Sequence, residues 1–243
     1  MSVVAIIQAR MGSTRLPGKV LRDLGGRPML ERVVRRVQRA TRLDDVVVAT
    51  TVHPSDDPLV ARCEQHGWPV FRGNETDVLD RYLQAAQRAE ASWIVRITAD
   101  CPMVDPALID ATIEATWADP ALDYAATFWP VRTFPRGLDV EVVRRAALER
   151  AGRKATTPSQ REHVTPYLYQ HPHRFQLGGI RHPEDLSAHR WTVDTPDDLA
   201  LAERIYRAFE TDDFAWTDVL AVLERHPAWV SLNAHVAQKP VDA

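Results

Sequence analysis

The sequence contains few of the features that mark secreted, membrane-bound or nucleic-acid-binding proteins. It has two cysteines, Cys63 and Cys101, whose separation does not match a metal-binding spacing. We therefore expect reduced thiols and a cytoplasmic protein. No apolar run approaches the roughly 20 residues that span a bilayer, and the apolar run at 3–7 is too short for a cleavable signal. The formal net charge of −3 gives no electrostatic basis for binding DNA or RNA. We expect no membrane partner and no nucleic-acid partner.

The remaining composition is ordinary for a globular protein. Apolar residues make up 45% of the 243 residues and charged residues 26%, which suits one domain covering residues 1–243. β-Branched and apolar runs predict strands at 3–7, 46–50, 68–71, 92–98, 124–128 and 138–142. They alternate with helical patterns at 30–37, 58–66, 78–86, 106–113, 146–153, 159–169, 196–206 and 218–225. This alternation predicts an α/β three-layer fold with a mostly parallel sheet. We expect solvated surface charges at Arg32, Arg35, Arg36 and Arg39.

A basic loop follows the first predicted strand. Within ten positions it carries three cations, two glycines and a serine: Arg10, Gly12, Ser13, Arg15, Gly18 and Lys19. Glycines let a backbone approach a ligand closely, and Arg and Lys donate hydrogen bonds to phosphate oxygens. The spacing is neither that of a Walker A loop nor that of a dinucleotide-binding loop. The loop predicts a polyphosphate site, and the alternative is a solvated surface loop.

Acidic and hydroxyl side chains follow two other predicted strands. Asp100 comes directly after the strand at 92–98 and just before a proline, where its carboxylate would face the edge of the sheet that carries the basic loop. Mg²⁺ prefers one or two protein carboxylates together with waters and substrate phosphates. Thr50 ends the second strand at that same edge, where ligands of open α/β sheets collect. We expect Asp56 and Asp57 to cap the helix that follows them.

A further polar surface is predicted on the strand at 138–142. Strict alternation places Asp139 and Glu141 on one face, with Arg136 preceding them. These side chains either bind the hydroxyls or amine of an acceptor, or they form an ordinary solvent-facing strand. Arg161 is a further candidate partner for an acceptor carboxylate or phosphate, and His163 is interpreted as a hydrogen-bonded core histidine.

Seven segments in a fixed order carry a resemblance to a known family. They read QARMGSTRLPGKVL, ATTVHPSDD, RGNETDVLDRY, RITADCPMVDP, PRGLDVEV, EHVTPYLY and RWTVDTPDDLALAERIY, and they cover residues 3 to about 207. The chain resembles the cytidylyltransferase superfamily that makes CMP-activated acidic sugars. It is similar to the SpsF-type proteins of spore-coat polysaccharide synthesis, and more distantly to CMP-KDO and CMP-sialate synthetases. One departure is Ala99, where these relatives commonly have glycine.

The resemblance implies a Rossmann-like nucleotidyltransferase fold and transfer of CMP from CTP to a small acidic acceptor. It implies a nucleotide-binding half at about 1–120, an acceptor-binding or dimerisation part at about 121–210 and a C-terminal helix and tail at 211–243. Mg²⁺ would be held by Asp100 and Asp194, and catalysis would rest on Arg10, Lys19 and Asp100. Relatives are commonly homodimers. The implied nucleotide contacts are Ala9, Arg10, Gly12, Ser13, Arg15, Lys19, Thr50, Arg81 and Thr98, and the implied acceptor contacts are Arg136, Asp139, Glu141, Arg161 and Glu162.

Three other functions stay open on the sequence. A glycosyltransferase of related fold would hold the diphosphate of a sugar nucleotide with a metal, although the RLPGK segment suits a free triphosphate better. Another nucleotidyltransferase would differ in its base. A catalytically inactive nucleotide-binding protein is the third, and the presence of both aspartates and the full basic loop argues against it.

Overall fold

One mixed sheet of seven strands forms the centre of the protein. The computed structural model describes residues 1–239. The strand order is β3-β2-β1-β4-β6-β5-β7. Only β6 runs antiparallel to its neighbours, β4 and β5, and the other neighbouring pairs are parallel. The predicted mostly parallel sheet is therefore confirmed. The strands are β1 Val3–Gln8, β2 Asp45–Thr51, β3 Val70–Gly73, β4 Trp93–Thr98, β5 Tyr124–Ala126, β6 Glu141–Arg144 and β7 Leu177–Gly179.

Helices cover both faces of this sheet and complete the predicted three layers. Strand β1 is buried on both sides, because Val3, Ala5 and Ile7 belong to one apolar cluster and Val4 and Ile6 to the other. Strands buried on both faces are near-continuous apolar runs, which is why β1 shows no polar alternation. The helices are α1 Met29–Val37, α2 Asp57–Gln65, α3 Val78–Arg88, α4 Pro106–Ala118, α5 Arg145–Gly152, α6 Pro158–His163, α7 Pro166–Tyr169, α8 Pro196–Arg207, α9 Trp216–Arg225 and α10 Pro227–Val230.

Several element boundaries differ from the prediction. The helix predicted at 159–169 is two helices, because Val164 has a φ of 74° and Pro166 has no N–H to continue the first helix. The strand predicted at 138–142 begins only at Glu141, after a segment in which the Thr127 hydroxyl binds the carbonyl of Leu138 and the N–H of Val140. The strand predicted at 68–71 lies two residues later, β7 was not predicted, and the C-terminal region has two helices instead of one.

Two arginines of α1 are buried, which contradicts the predicted solvated surface. Arg36 is fully buried and donates to the carbonyl oxygens of Val104, Asp212 and Phe214 at 2.7, 3.0 and 3.1 Å. Arg32 is 6% exposed. The prediction was wrong here because it counted only apolar side chains as buried, whereas a guanidinium that meets several carbonyls can be buried as well. Arg35 of the same helix and Arg39, two residues beyond its end, are exposed, as predicted.

Among residues 1–239, no helix combines the length and the apolar character needed to cross a membrane.

Candidate active site

The cleft lies where β1 and β4 end side by side. Gln8 and Thr98 are paired in the parallel register, so the basic loop after β1 and Asp100 after β4 emerge at the same edge. A hydrogen bond of 2.8 Å from the Val193 N–H to the Asp100 carbonyl brings in the segment that carries Asp194. The cleft has a volume of about 430 Å³. It is lined by thirteen of the predicted site residues: Ala9, Arg10, Gly12, Ser13, Arg15, Lys19, Arg81, Thr98, Asp100, Arg136, Asp139, Glu162 and Asp194.

A buried carboxylate holds the basic loop in position. Asp56 accepts a hydrogen bond of 2.7 Å from the Met11 N–H in the loop and further bonds from Thr50 and Thr51. Burial opposes the charge of Asp56, but these donors outweigh it and hold the pKa of the carboxyl below its usual value. The predicted helix cap is wrong, because the Asp56 side chain makes no capping hydrogen bond in α2. Thr50 is fully buried against Asp56 and does not line the cleft.

Lys19 is the centre of the charged floor. Its ammonium donates to Asp100 Oδ2, Asp194 Oδ1 and the Val193 carbonyl oxygen, each at 2.9 Å. Burial disfavours the charged ammonium, yet the two carboxylates outweigh this effect and raise the pKa of Lys19. For Asp100, burial is again opposed by Lys19 and by the Thr98 hydroxyl, so that the pKa of its carboxyl is lowered. The two carboxylates therefore share one cation.

Asp194 is surrounded by positive charge. Its Oδ2 lies 3.0 Å from Arg15 Nη2 and 2.8 Å from Arg190 Nη2, in addition to the contact with Lys19. Arg190 is held in turn by Asp198, whose carboxylate also caps the start of α8 by accepting from the Thr195 N–H. Arg190 was not predicted as a site residue. It fixes the position of Asp194 from behind, because Arg190 itself does not line the cleft.

The donor set at the two aspartates fits a hard cation such as Mg²⁺. Asp100 and Asp194 approach the same ammonium nitrogen at 2.9 Å each, so the two carboxylates are close enough to share a single ion. Mg²⁺ usually takes one or two protein carboxylates and completes its shell with water and phosphate oxygens. Three or more His, Cys, Asp or Glu side chains do not converge anywhere within residues 1–239. Burial and Asp100 raise the pKa of the Cys101 thiol.

Glu141 lies behind the wall of the cleft and not on its surface. It is 2% exposed. One oxygen pairs with Arg96 Nη1, and the other accepts from the hydroxyls of Tyr124 and Thr165. The predicted contact between Glu141 and an acceptor is not supported, because both of its oxygens are used inside the protein. Arg96, which was not predicted, lines the cleft and reaches Gln8 Oε1 at 3.1 Å.

Arg161 is also outside the cleft. Its guanidinium donates to Asp77 Oδ2, with Nε at 2.9 Å, and to the Gly152 carbonyl oxygen at 2.9 Å. Asp77 is the N-cap of α3, since its side chain accepts from the Asp80 N–H. The pair therefore ties α6 to the start of α3. Because its guanidinium is paired with Asp77 and does not line the cleft, Arg161 is not placed to bind an acceptor anion there.

Some of the cleft residues that were not predicted could have been found from the sequence, and others could not. Arg96 is a charged residue within a strand of otherwise apolar and hydroxyl side chains, and that anomaly in β4 was detectable in the sequence. Gln238 and Lys239 also line the cleft, but they follow α10 in a segment without any motif. Only the folded chain brings them to this site. The Ala99 methyl group lines the cleft floor next to Asp100.

The fold and the cleft together define a nucleotidyltransferase: a parallel strand edge with a glycine-containing basic loop facing a pair of carboxylates. A family profile described as cytidylyltransferase matches residues 4–215. The chain belongs to the cytidylyltransferase family.

Comparisons with individual proteins agree with this assignment. The chain is 38% identical over 233 residues to the spore coat polysaccharide biosynthesis protein SpsF of Bacillus subtilis, covering 93% of this chain and 95% of that protein. A cytidylyltransferase structure from Leptospira borgpetersenii superposes with a TM-score of 0.90 at 32% identity, over 95% of this chain and 97% of the other. The structure of a CMP-2-keto-3-deoxy-manno-octonic acid synthetase complexed with CTP shares the fold, with a TM-score of 0.67 at 20% identity over 86% of this chain and 99% of the other.

Proposed function

We propose that the protein transfers CMP from CTP to a small acidic acceptor, releases pyrophosphate and requires Mg²⁺. The observation that carries the proposal is the charged floor, in which Lys19 lies between Asp100 and Asp194 beside Arg15. A complex of a metal ion with a triphosphate would match both the negative and the positive side chains of this floor. The carboxylates suit the metal, and the cations suit the phosphates.

The basic loop would hold the triphosphate. Arg10, Arg15 and Lys19 all line the cleft on one side, together with Gly12 and Ser13. Arg10 is only loosely engaged, since its Nη2 lies 4.0 Å from Glu162 Oε1 and its side chain is about half exposed. A cation with so weak a partner is free to turn to a phosphate. Clamping the loop through Asp56 fixes these donors before the ligand arrives, which reduces the cost of reorganisation during reaction.

The chemistry requires positioning and charge neutralisation more than a protein nucleophile. An acceptor oxygen attacks the α-phosphorus of CTP in line, the bond from that phosphorus to the β-phosphate bridge oxygen breaks, and pyrophosphate leaves. Lys19 and Arg15 would stabilise the charge that develops on the phosphate oxygens. Mg²⁺ held by Asp100 and Asp194 would supply further charge neutralisation when it is bound.

The acceptor would bind in the same cleft as the nucleotide. Three of the predicted acceptor contacts, Arg136, Asp139 and Glu162, line it. Asp139 is paired with Arg132, whereas the Arg136 guanidinium is free to bind an acidic group of the acceptor. Because SpsF is named for spore coat polysaccharide synthesis, we propose an activated sugar for surface polysaccharide as the product class. A cytoplasmic location and a homodimer stay predictions, and the two free thiols accord with the first.

Release of pyrophosphate tests this proposal. The protein is incubated with CTP, MgCl₂ and a panel of sugar acids, and pyrophosphate is measured together with CMP-linked product. We expect equimolar amounts of both with at least one acid. Asp100→Asn should lower turnover roughly a hundredfold or more, since a preorganised charge contact is lost. Asp197→Asn is the matched control, because this aspartate lies three positions after Asp194 on the exposed start of α8 and should keep wild-type turnover.

Two results would contradict the proposal. Wild-type turnover in Asp100→Asn would remove the metal assignment. Release of a nucleoside diphosphate from a sugar nucleotide, without pyrophosphate from any triphosphate, would indicate a glycosyltransferase instead.

A further inference from the structure

A second cavity of about 170 Å³ adjoins the cleft. Arg136 and Gln238 line both spaces, so the two are neighbours across these side chains. Leu223 of α9, Val230 of α10 and Val236 beyond it form one wall of the cavity. This wall lies after residue 215, where the match to the family profile ends. The cavity is therefore built in large part by a region that the general family pattern does not describe.

The polar groups around this cavity are mostly engaged with one another. Arg190 donates to Asp198 and to Gln238 Oε1, the latter at 2.6 Å. The Asn233 amide donates to the Arg190 carbonyl oxygen at 2.9 Å and to Asp198 Oδ1 at 2.8 Å. With these groups satisfied and the His189 ring beside that of Trp191, the other side chains that remain to meet a ligand are largely apolar, among them Leu201 and Leu223.

Arg136 is the exception. Within the described chain, its guanidinium makes no hydrogen bond and no ion pair, although the residue is only partly exposed and lies near Arg132 and Arg190. Burial, Arg132 and Arg190 lower the pKa of Arg136, and the carboxylate of Asp139 only partly opposes them. A guanidinium that no carboxylate contacts directly can bind an external anion.

The backbone fixes Arg136 rigidly at the boundary between cleft and cavity. Its N–H donates to the His189 carbonyl oxygen at 3.0 Å, and its carbonyl oxygen accepts from the Trp191 N–H at 2.7 Å. Gly137 has a φ of +104°, and an added Cβ would lie 2.6 Å from the Thr192 nitrogen. This close approach of two backbones orients the side chain of Arg136 and brings Trp191 next to it.

Trp191 adds an independent observation. The residue is 2% exposed, and its indole nitrogen has no hydrogen-bond partner in the part of the chain that the structure describes. A buried N–H without an acceptor is uncommon and costs free energy. An acceptor atom on a molecule entering the cavity would recover that cost.

We propose that this cavity is an acceptor subsite: the acidic group of the acceptor binds Arg136, and a compact apolar substituent next to it occupies the cavity. The inference deepens the proposed function and rests on it. A cavity of about 150 Å³ lined by apolar side chains holds a molecule of the size of benzene. The substituent therefore has up to about six non-hydrogen atoms.

Benzoate and acetate are suitable probes, because both carry a carboxylate and only benzoate carries a six-carbon apolar group. Their dissociation constants are measured by NMR titration of the full chain. We expect benzoate to bind about tenfold more tightly than acetate or better, as burial of an aromatic ring implies. Benzoate should change the chemical shifts of the Trp191 indole and of residues 233–238. Arg136→Gln should weaken both probes.

Two alanines of the same segment provide a matched pair of variants. Both are exposed, but Ala234 lines the cavity and Ala237 does not. Ala234→Phe should fill the cavity, so that the dissociation constants of benzoate and acetate differ by no more than about twofold. Ala237→Phe should keep the wild-type preference for benzoate. Equal binding of the two probes to wild type, no binding of benzoate, or a benzoate preference that survives Ala234→Phe would each overturn the proposal.

Nucleotide binding is measured separately by thermal unfolding of the same proteins with CTP and Mg²⁺. It also verifies that each variant is folded. The expected benzoate pattern without any response to CTP would refute the proposed nucleotide and leave an anion pocket in place. A response to CTP without the benzoate pattern would refute the subsite alone.

Discussion

Asp56 shows how one buried side chain determines the position of a whole binding loop. It is 1% exposed and accepts hydrogen bonds from Met11 in the loop and from two threonines at the end of β2. Nothing in the sequence distinguishes it from Asp57, the next residue, which is largely exposed and pairs with Arg72. The sequence predicted both as caps, because the pattern of an acid before a helix is the same in either case.

The stability of the protein should depend on pH through Asp56. The pKa of this carboxyl is lower in the folded state than its usual value of 3.8. The Asp56 charge therefore contributes to the free energy of unfolding at pH values above 3.8, and this contribution is lost as the pH falls through the lowered pKa. Asp56→Asn should lower the free energy of unfolding by about 3 kcal/mol at pH 7, since hydrogen bonds to a charge are lost. At about pH 3 that difference should be much smaller.

Urea unfolding at both pH values measures this effect, and Asp57→Asn serves as the control. The exposed Asp57 should give a change of under about 1 kcal/mol at either pH. A cost of Asp56→Asn that is the same at pH 3 and pH 7 would contradict the role of its charge.

The segment that leads into strand β6 shows how far the alternation of polar and apolar residues can predict a binding surface. Asp139 and Glu141 alternate as predicted, but only Asp139 reaches the cleft, whereas Glu141 is enclosed by Arg96, Tyr124 and Thr165. Alternation tells which residues share a face. It does not tell what covers that face, and here α6 and α7 follow the strand in the chain and bring Thr165 over it.

Substitution of these two carboxylates should therefore affect different properties: stability for Glu141 and acceptor binding for Asp139. Glu141→Gln leaves the buried Arg96 without a counter-charge and should lower the free energy of unfolding by about 3 kcal/mol. Asp139→Asn breaks a partly exposed pair with Arg132 and should change it by less than about 1 kcal/mol, while raising the KM for the acceptor. Equilibrium denaturation and acceptor kinetics separate the two effects. Equal loss of stability in both variants would show that Glu141 is not the structural partner assigned to it.

The turn before β6 is a second element whose geometry matters for function. Gly137 and Gly26 both have positive φ, at 104° and 92°, but only Gly137 would place a Cβ against backbone atoms. Gly137→Ala should displace Arg136 and raise the acceptor KM about tenfold or more, with CTP affinity unchanged. Gly26→Ala should cost about 1–2 kcal/mol of stability for the backbone conformation alone, with unchanged kinetics.

Steady-state kinetics and CTP titration of the two alanine variants check this difference. If Gly137→Ala and Gly26→Ala had the same acceptor KM, the close backbone approach would not be what positions Arg136.

Most elements with a strong periodic signal were predictable. Strands β1, β2 and β4 and helix α1 lie close to their predicted positions, because each has a run of apolar residues with one clear period. Strand β7 has three residues, two of them glycine, and forms only because β5 provides a parallel partner. The division between α6 and α7 depends on the conformation of Val164, which is an unusual one for a β-branched residue.

At the scale of the whole molecule, charge is distributed very unevenly. The chain has a net charge of −3. Its cleft nevertheless contains seven positively charged side chains from five regions of the sequence: Arg10, Arg15, Lys19, Arg81, Arg96, Arg136 and Lys239. The net charge gave no reason to expect a general affinity for nucleic acids, and only the fold reveals this local concentration of positive charge.

The order of the motifs predicted which regions meet at the sheet edge, because parallel strands place their carboxyl ends together. It did not predict which of the proposed site residues have side chains that point away from the cleft. Thr50, Glu141 and Arg161 belong to the segments that form the cleft. Their side chains instead contact Asp56, Arg96 and Asp77, respectively. Each of these contacts joins the residue to a distant or unforeseen partner, and a single sequence holds no information on such pairs.

Thermal unfolding with CTP, UTP, ATP and GTP, each with and without Mg²⁺, tests the central claim most directly because it requires no acceptor. A ligand at about 100 times its dissociation constant adds roughly 2.7 kcal/mol to the free energy of unfolding. We predict a shift of this size with CTP and Mg²⁺, a smaller one with CTP alone and little with the other bases. Equal shifts with all four nucleotides would contradict the assignment of cytidine, and no shift with any of them would contradict a nucleotidyltransferase.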